Sequence, residues 1–134
     1  MNRKALQEAI SLAQKMKNVF VVTSDRSGLP HMAAAGKLAH SAANRVHVAA
    51  WFCPGTVANL EENRRISLVV WDPLRDLGYQ LLGEAEKVEE VAMMNGYVPG
   101  EGGKNHLPQV ERQLTVRVDK ITDFRRAPHS DREE

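Results

Sequence analysis

Residues Arg45–Asn63, RVHVAAWFCPGTVANLEEN, decide the reading of this chain. Arg45–Trp51 is apolar and rich in strand formers, so it reads as a β-strand. Pro54-Gly55-Thr56 then opens a short helix, predicted over Val57–Asn63. A strand that runs into a helix through Pro-Gly-Thr is a place where an anion can bind. The first turn of a helix carries unpaired N–H groups, and the helix dipole adds partial positive charge there. Gly55 allows close backbone approach, and the Thr56 hydroxyl can donate to a phosphate oxygen. Taken alone, the segment is more simply explained by Thr56 capping the helix. The rest of the chain tips the balance.

Upstream, residues 3–17 read as an amphipathic helix with Ala5, Ile10, Leu12, Ala13 and Met16 on one side. Asn18–Ser24 reads as a strand. Asp25-Arg26-Ser27-Gly28 has the composition of a type I turn, and Leu29–His40 reads as the returning strand. Pro30 has no N–H, which places it at a strand start or on a sheet edge. Ser41–Asn44 is a second turn. Downstream, Arg65–Trp71 and Gly78–Val88 read as strands, 89–97 as a short helix, 99–108 as a loop and Leu114–Phe124 as the last strand. The polar stretch from Arg125 onward reads as a tail, flexible over 126–134. The sum is a single domain over 1–134, mainly β within the α+β class. The expected architecture is a six-stranded antiparallel barrel with an N-terminal helix and short crossover helices.

Composition narrows the function classes. Eighteen basic and 17 acidic residues leave a formal net charge of +1. That balance lacks the basic excess of a dedicated nucleic-acid surface. A single cysteine, Cys53, excludes an internal disulfide framework and suits a reducing cytoplasm. The first residues lack the long apolar core of a signal peptide, and no apolar run is long enough to span a membrane. A cytoplasmic protein is expected.

The second strand carries Ala33-Ala34-Ala35-Gly36-Lys37 and the third Ala49-Ala50-Trp51. Small residues leave a flat backbone surface that a planar ring can approach; they equally allow close packing of a helix or a second subunit. Lys37 can set positive charge near a phosphate or ring carbonyl, or end a strand in water. Cys53 beside a helix start invites a thiolate reading, but no histidine spacing announces a Cys/His pair. The five histidines form no paired ligand motif, so no metal site is expected. His40 and His47 flank one turn and could face each other. His129-Ser130-Asp131 has triad residue types without triad geometry. No Walker loop or dinucleotide fingerprint is present. No side chain stands out as a catalytic acid or base.

The order of these motifs resembles the pyridoxamine 5′-phosphate oxidase-like, FMN-binding split-barrel family. The carriers are the D-R-S-G-L-P-H turn (Asp25–His31), the T-x-x-N-L-x-x-N helix (Thr56–Asn63) and the x-G-x-A-x strand (Leu82–Glu86). The match is best over residues 18–90. It implies a six-stranded split β-barrel that forms a homodimer, with FMN in a groove between subunits. By position, the phosphate would meet Cys53, Pro54, Gly55, Thr56 and Asn59. The ring would lie along Met32, Ala33, Ala34, Ala35 and Gly36 and along Val48, Ala49, Ala50 and Trp51, with Lys37 close by.

Two departures refine the expectation. Many members place Lys or Arg just before or at the Thr56 position, where this chain has Gly55. The cation would then come from Lys37, Arg64, Arg65 or a partner-subunit arginine. The substrate-binding basic C-terminus of the true oxidase is not found in Ala127–Glu134, so the resemblance is to flavin-binding, general-stress-type members. The leading expectation is a flavin-dependent oxidoreductase with a small-molecule redox partner, no nucleic acid and no membrane. Alternatives are a non-catalytic flavin-binding or electron-carrier module, or a relative that holds a deazaflavin (F420) or haem in the same groove. Haem would draw on His31 or His129 as axial ligand.

Overall fold

The structure is a computed structural model that describes residues 1–51, 54–94, 109–128 and 131–134. Helix α1 spans Arg3–Met16. Its first turn is capped by Asn2, whose Oδ1 accepts from the N–H groups of Lys4 at 3.0 Å and Ala5 at 3.2 Å. It ends at Lys17, which adopts the left-handed region at φ 59° and donates its N–H to the Ala13 carbonyl at 2.8 Å. Ala5, Leu6, Ala9, Ile10, Leu12 and Ala13 are buried; Met16, expected among them, is only partly so.

The strands are β1 (Val19–Ser24), β2 (Pro30–Ala35), β3 (Lys37–His40), β4 (Arg45–Trp51), β5 (Arg65–Asp72), β6 (Leu77–Met94) and β7 (Gln109–Asp123). Helix α2 spans Pro54–Glu62. All pairings are antiparallel, and the described strands form one sheet in the order β2-β1-β5-β6-β7-β4-β3.

That order explains the barrel. β2 and β3 lie at opposite edges of the sheet, yet Gly36 alone separates them in the chain. Two Cα–Cα steps span at most about 7 Å, so the sheet must curl until its edges meet. β2 accordingly lies against β4 without pairing to it, which makes the barrel split rather than closed. The expected single strand Leu29–His40 is thus two strands that serve different edges, and the strand count is seven instead of six. A period-2 pattern cannot show that a strand changes neighbours at a glycine.

One further expectation is corrected. The short helix over 89–97 is not formed where the structure describes it, because β6 continues to Met94 against β7. Glu89, Glu90 and Ala92 pair with Gln113, Arg112 and Glu111, and tertiary pairing overrides local helix propensity. The predicted loop 99–108 lies outside the described residues.

The inward row of β1 is Val19, Val21 and Thr23, matched by Val46 and Val48 on β4 and Leu114, Val116 and Val118 on β7. α1 packs on β3, β5 and β6 and completes this core. The described part of the tail turns back instead of trailing: Asp123 donates its N–H to the Arg132 carbonyl at 2.9 Å, and Glu134 to Ile121 at 2.9 Å. Arg126 and Ala127 give their N–H groups to the two carboxylate oxygens of Asp76. These bonds hold the Asp76 carboxyl below the usual range. No described helix is long and apolar enough to cross a membrane.

Candidate functional site

β4 delivers the chain to α2 within two residues, and α2 packs on β1 and β2. The helix begins at Pro54, where a fixed φ and a missing N–H suit the first helical position. The predicted start at Val57 is therefore too late, and Thr56 lies inside the first turn rather than at its cap. Thr56 is 3% exposed, and its Oγ1 is buried with no hydrogen-bond partner. A buried hydroxyl without a partner forfeits about 1–3 kcal/mol of solvation, and in a first helical turn it stands among donors that suit an anion.

Gly55 is constrained by a residue from another strand. A Cβ on Gly55 would lie 3.1 Å from Nε2, 3.3 Å from Cε1 and 3.5 Å from Cδ2 of His31. The imidazole of β2 therefore comes tip first against the backbone of the helix start. Thr23, opposite His31 in the β1–β2 register, is tied to the same helix, since Asn59 Nδ2 donates to its Oγ1 at 3.0 Å. Asn63 Nδ2 donates to Ser24 Oγ at 3.0 Å. Both asparagine amides of the T-x-x-N-L-x-x-N helix thus hold α2 against β1, which fixes where its first turn points.

The other expected ring contacts are divided between the edge strand β2, the interior strand β4 and the core, so Ala35 and Val48 present no side-chain surface to a ring. Met32 is 63% exposed, Ala34, Gly36 and Lys37 are exposed, Ala33 and Ala49 are half-buried, and Ala35 is buried in the core. Val48 also faces the core. A Cβ on Gly36 would meet nothing within 4 Å. Lys37 pairs with Ala49 across β3 and β4. Ala50 and Trp51 end β4, and Cys53 lies outside the described residues.

The cations proposed for the phosphate are differently engaged. Arg64 gives Nη1 to the Ala85 carbonyl at 3.0 Å and the Glu86 carbonyl at 3.3 Å, so it fastens the end of α2 to β6. Arg65 lines a cleft of about 490 Å³ with Val22, Ser67, Leu82 and Lys120, and none of the expected cofactor residues borders that cleft. Lys37 remains beside the alanines. His40 and His47 do not face each other: they pair with Val46 and Ala39, which puts them on opposite sheet faces. His129 lies outside the described residues.

Sequence reading missed two groups. His31 meets Gly55 only because β2, β1 and α2 are packed together. Arg112 pairs with Ala50 on β4 and continues the inward row of Leu114 and Val116; its Nη1 is buried with no hydrogen-bond partner. An inward arginine on an otherwise apolar alternation was the available signal.

Comparison with known proteins agrees with this fold. HupZ of Group A Streptococcus superposes with a TM-score of 0.64 at 19% identity, covering 89% of this chain and 93% of that one. A Clostridium acetobutylicum protein related to general stress protein 26 superposes at 0.62 with 20% identity, covering 93% and 91%. An FMN-binding protein from Syntrophomonas wolfei superposes at 0.59 with 20% identity, covering 92% and 88%. No curated protein sequence matches. The sequence profile described as Pyridoxamine 5′-phosphate oxidase matches residues 4–120, and with the split barrel and the α2 shelf in place the chain is a member of that family.

Proposed function

We propose that this protein binds FMN at the shelf formed by α2, β2 and β4 and works as a flavin-dependent oxidoreductase. The observation that carries the reading is the partnerless, buried Thr56 hydroxyl in the first turn of α2. A phosphate there would receive backbone N–H groups and the Thr56 hydroxyl, beside Pro54 and Gly55 and with Cys53 adjoining in sequence. The open face at Gly36 and the small side chains of Ala33, Ala34 and Ala49 suit a flat ring, with Met32, Lys37, Ala50 and Trp51 at its margins. Bound FMN would supply reversible electron transfer; the chain supplies binding, orientation and the electrostatics of the ring.

The shelf is open to one side, and β2 is an edge strand that exposes Met32 at 63% beside Leu29 at 66%. A second copy of the chain would cover both, so the working form is read as a homodimer. The S. wolfei neighbour, an FMN-binding protein by name, supports the choice of cofactor.

Isothermal titration with FMN, with riboflavin and F420 as comparison ligands, tests the reading. FMN should bind stoichiometrically with subunits and give flavin absorbance bands; a protein that stays colourless with added FMN would sink it. Rapid reduction of the loaded protein by NADH or NADPH, with turnover, separates an enzyme from an electron-carrying module.

A further inference from the structure

We infer that His31 is the cation of the phosphate subsite, which makes ligand affinity rise as the imidazole becomes protonated. The inference rests on the FMN reading above and adds a residue, a charge and a pH dependence to it.

A phosphate monoester carries about −1.5 to −2 charges near neutral pH. Backbone N–H groups and one hydroxyl offer hydrogen bonds but no full positive charge. The first turn of α2, Pro54-Gly55-Thr56, contributes no cationic side chain. His31 reaches that turn from β2, with Nε2 as the ring atom nearest to where a Cβ on Gly55 would stand. Its ring already lies at the helix start, so little rearrangement is needed to donate to an oxygen held by Thr56. A Cβ at position 55 would require the imidazole to give way by a few tenths of an ångström.

The elements packed against β2 place few other ionisable side chains beside this turn. β1 sets Thr23 opposite it and has no ionisable side chain along Val19–Ser24. α2 carries Glu61 and Glu62 at its far end, with Glu62 3.6 Å from Arg26. β4 carries Arg45 and His47 near its start, the end away from α2. Arg112 on β7, across from Ala50, is a permanent charge and adds no pH dependence in this range.

Imidazole ordinarily changes charge between pH 5 and 8. A phosphate beside it favours the protonated form, so binding takes up a proton and affinity falls as pH rises through that range. The second ionisation of the free phosphate lies near pH 6 and is common to every variant.

The experiment is a titration of FMN and of riboflavin into the full-length protein, His31→Gln and His31→Lys, from about pH 5.5 to 8.5. Near pH 6, His31→Gln should bind FMN about tenfold more weakly than the unsubstituted protein, the scale of one charge-assisted hydrogen bond. The two should converge at the alkaline end, where the imidazole is neutral. His31→Lys should keep the tighter affinity across the range. Riboflavin, which lacks the phosphate, should not distinguish the three. An NMR titration of the His31 ring should show its pKa raised by FMN and unmoved by riboflavin. FMN binding with the same affinity and pH profile in all three proteins would overturn the role of His31 alone. Failure of the unsubstituted protein to bind FMN at any pH would overturn the phosphate site and this role with it. His31 is exposed and its substitution removes no core contact, so unchanged thermal melting will show that the variants are folded.

Discussion

A Cβ on Gly83 would lie 1.8 Å from the carbonyl oxygen of Arg117. The β6–β7 register shifts between Leu82 and Gly83, and the two backbones come too close there for any side chain. Gly83→Ala must therefore displace β7 backbone rather than a flexible side chain. We expect it to cost about 3 kcal/mol or more, read as a large fall in melting temperature or loss of soluble protein. An alanine variant as stable as the parent would show that the strands can separate freely at this bulge.

Thr56 should have opposite effects on stability and on binding. Removing a partnerless buried hydroxyl while keeping its shape is near neutral or stabilising in the free protein. Thr56→Val should therefore leave thermal melting unchanged or raise it, while weakening FMN binding by about 1–2 kcal/mol. A purely structural Thr56 would leave the calorimetric affinity untouched.

Asn59→Ala removes the donor to Thr23, a hydroxyl that is 3% exposed. The predicted loss is about 1–2 kcal/mol of stability, since the Thr23 oxygen loses its donor. Denaturant unfolding checks this. FMN affinity should also fall, because α2 would no longer be held at a fixed angle to β1.

Gly36 separates fold from function differently. Nothing lies within 4 Å of a Cβ built there, so Gly36→Leu should change stability by less than about 1 kcal/mol. The added side chain would occupy the shelf, and the FMN dissociation constant should rise at least tenfold. Unaltered affinity would place the ring elsewhere.

Tyr79 gives the molecule an alkaline limit. Burial, followed by the hydrogen bond its hydroxyl donates to Glu8 Oε2 at 2.9 Å, pushes its pKa up to about 12. An unfolded tyrosine titrates near 10. Between these values the folded state holds the proton that the unfolded state has lost, so stability falls as pH rises. The contribution is fully present below about pH 10 and lost through about pH 12. Tyr79→Phe should flatten this part of the stability–pH curve, measured by thermal melting at stepped pH.

Local chemistry determined much of this protein. The β-rich composition of Val19–Ser24, the turn around Asp25 and the run of Arg65–Trp71 specify strands that the structure keeps. Pro30 could only start a strand or edge a sheet, and it does both. Pro54-Gly55-Thr56 marked the helix start to within three residues. Other features depended on neighbours distant in the chain. Which edge each half of Leu29–His40 would join followed from barrel closure across Gly36, because backbone hydrogen bonds to β1 and β4 decide it. Residues past Val88 became strand because β7 offered a partner. The contact of His31 with Gly55 required β2, β1 and α2 to pack first, and the missing partner of Thr56 Oγ1 is visible only once its whole surroundings are fixed. The sequence alone could place a helix start able to receive an anion. Only packing across the barrel edge, where the His31 side chain lies beside the backbone of Gly55, 24 positions away, brought an imidazole to it.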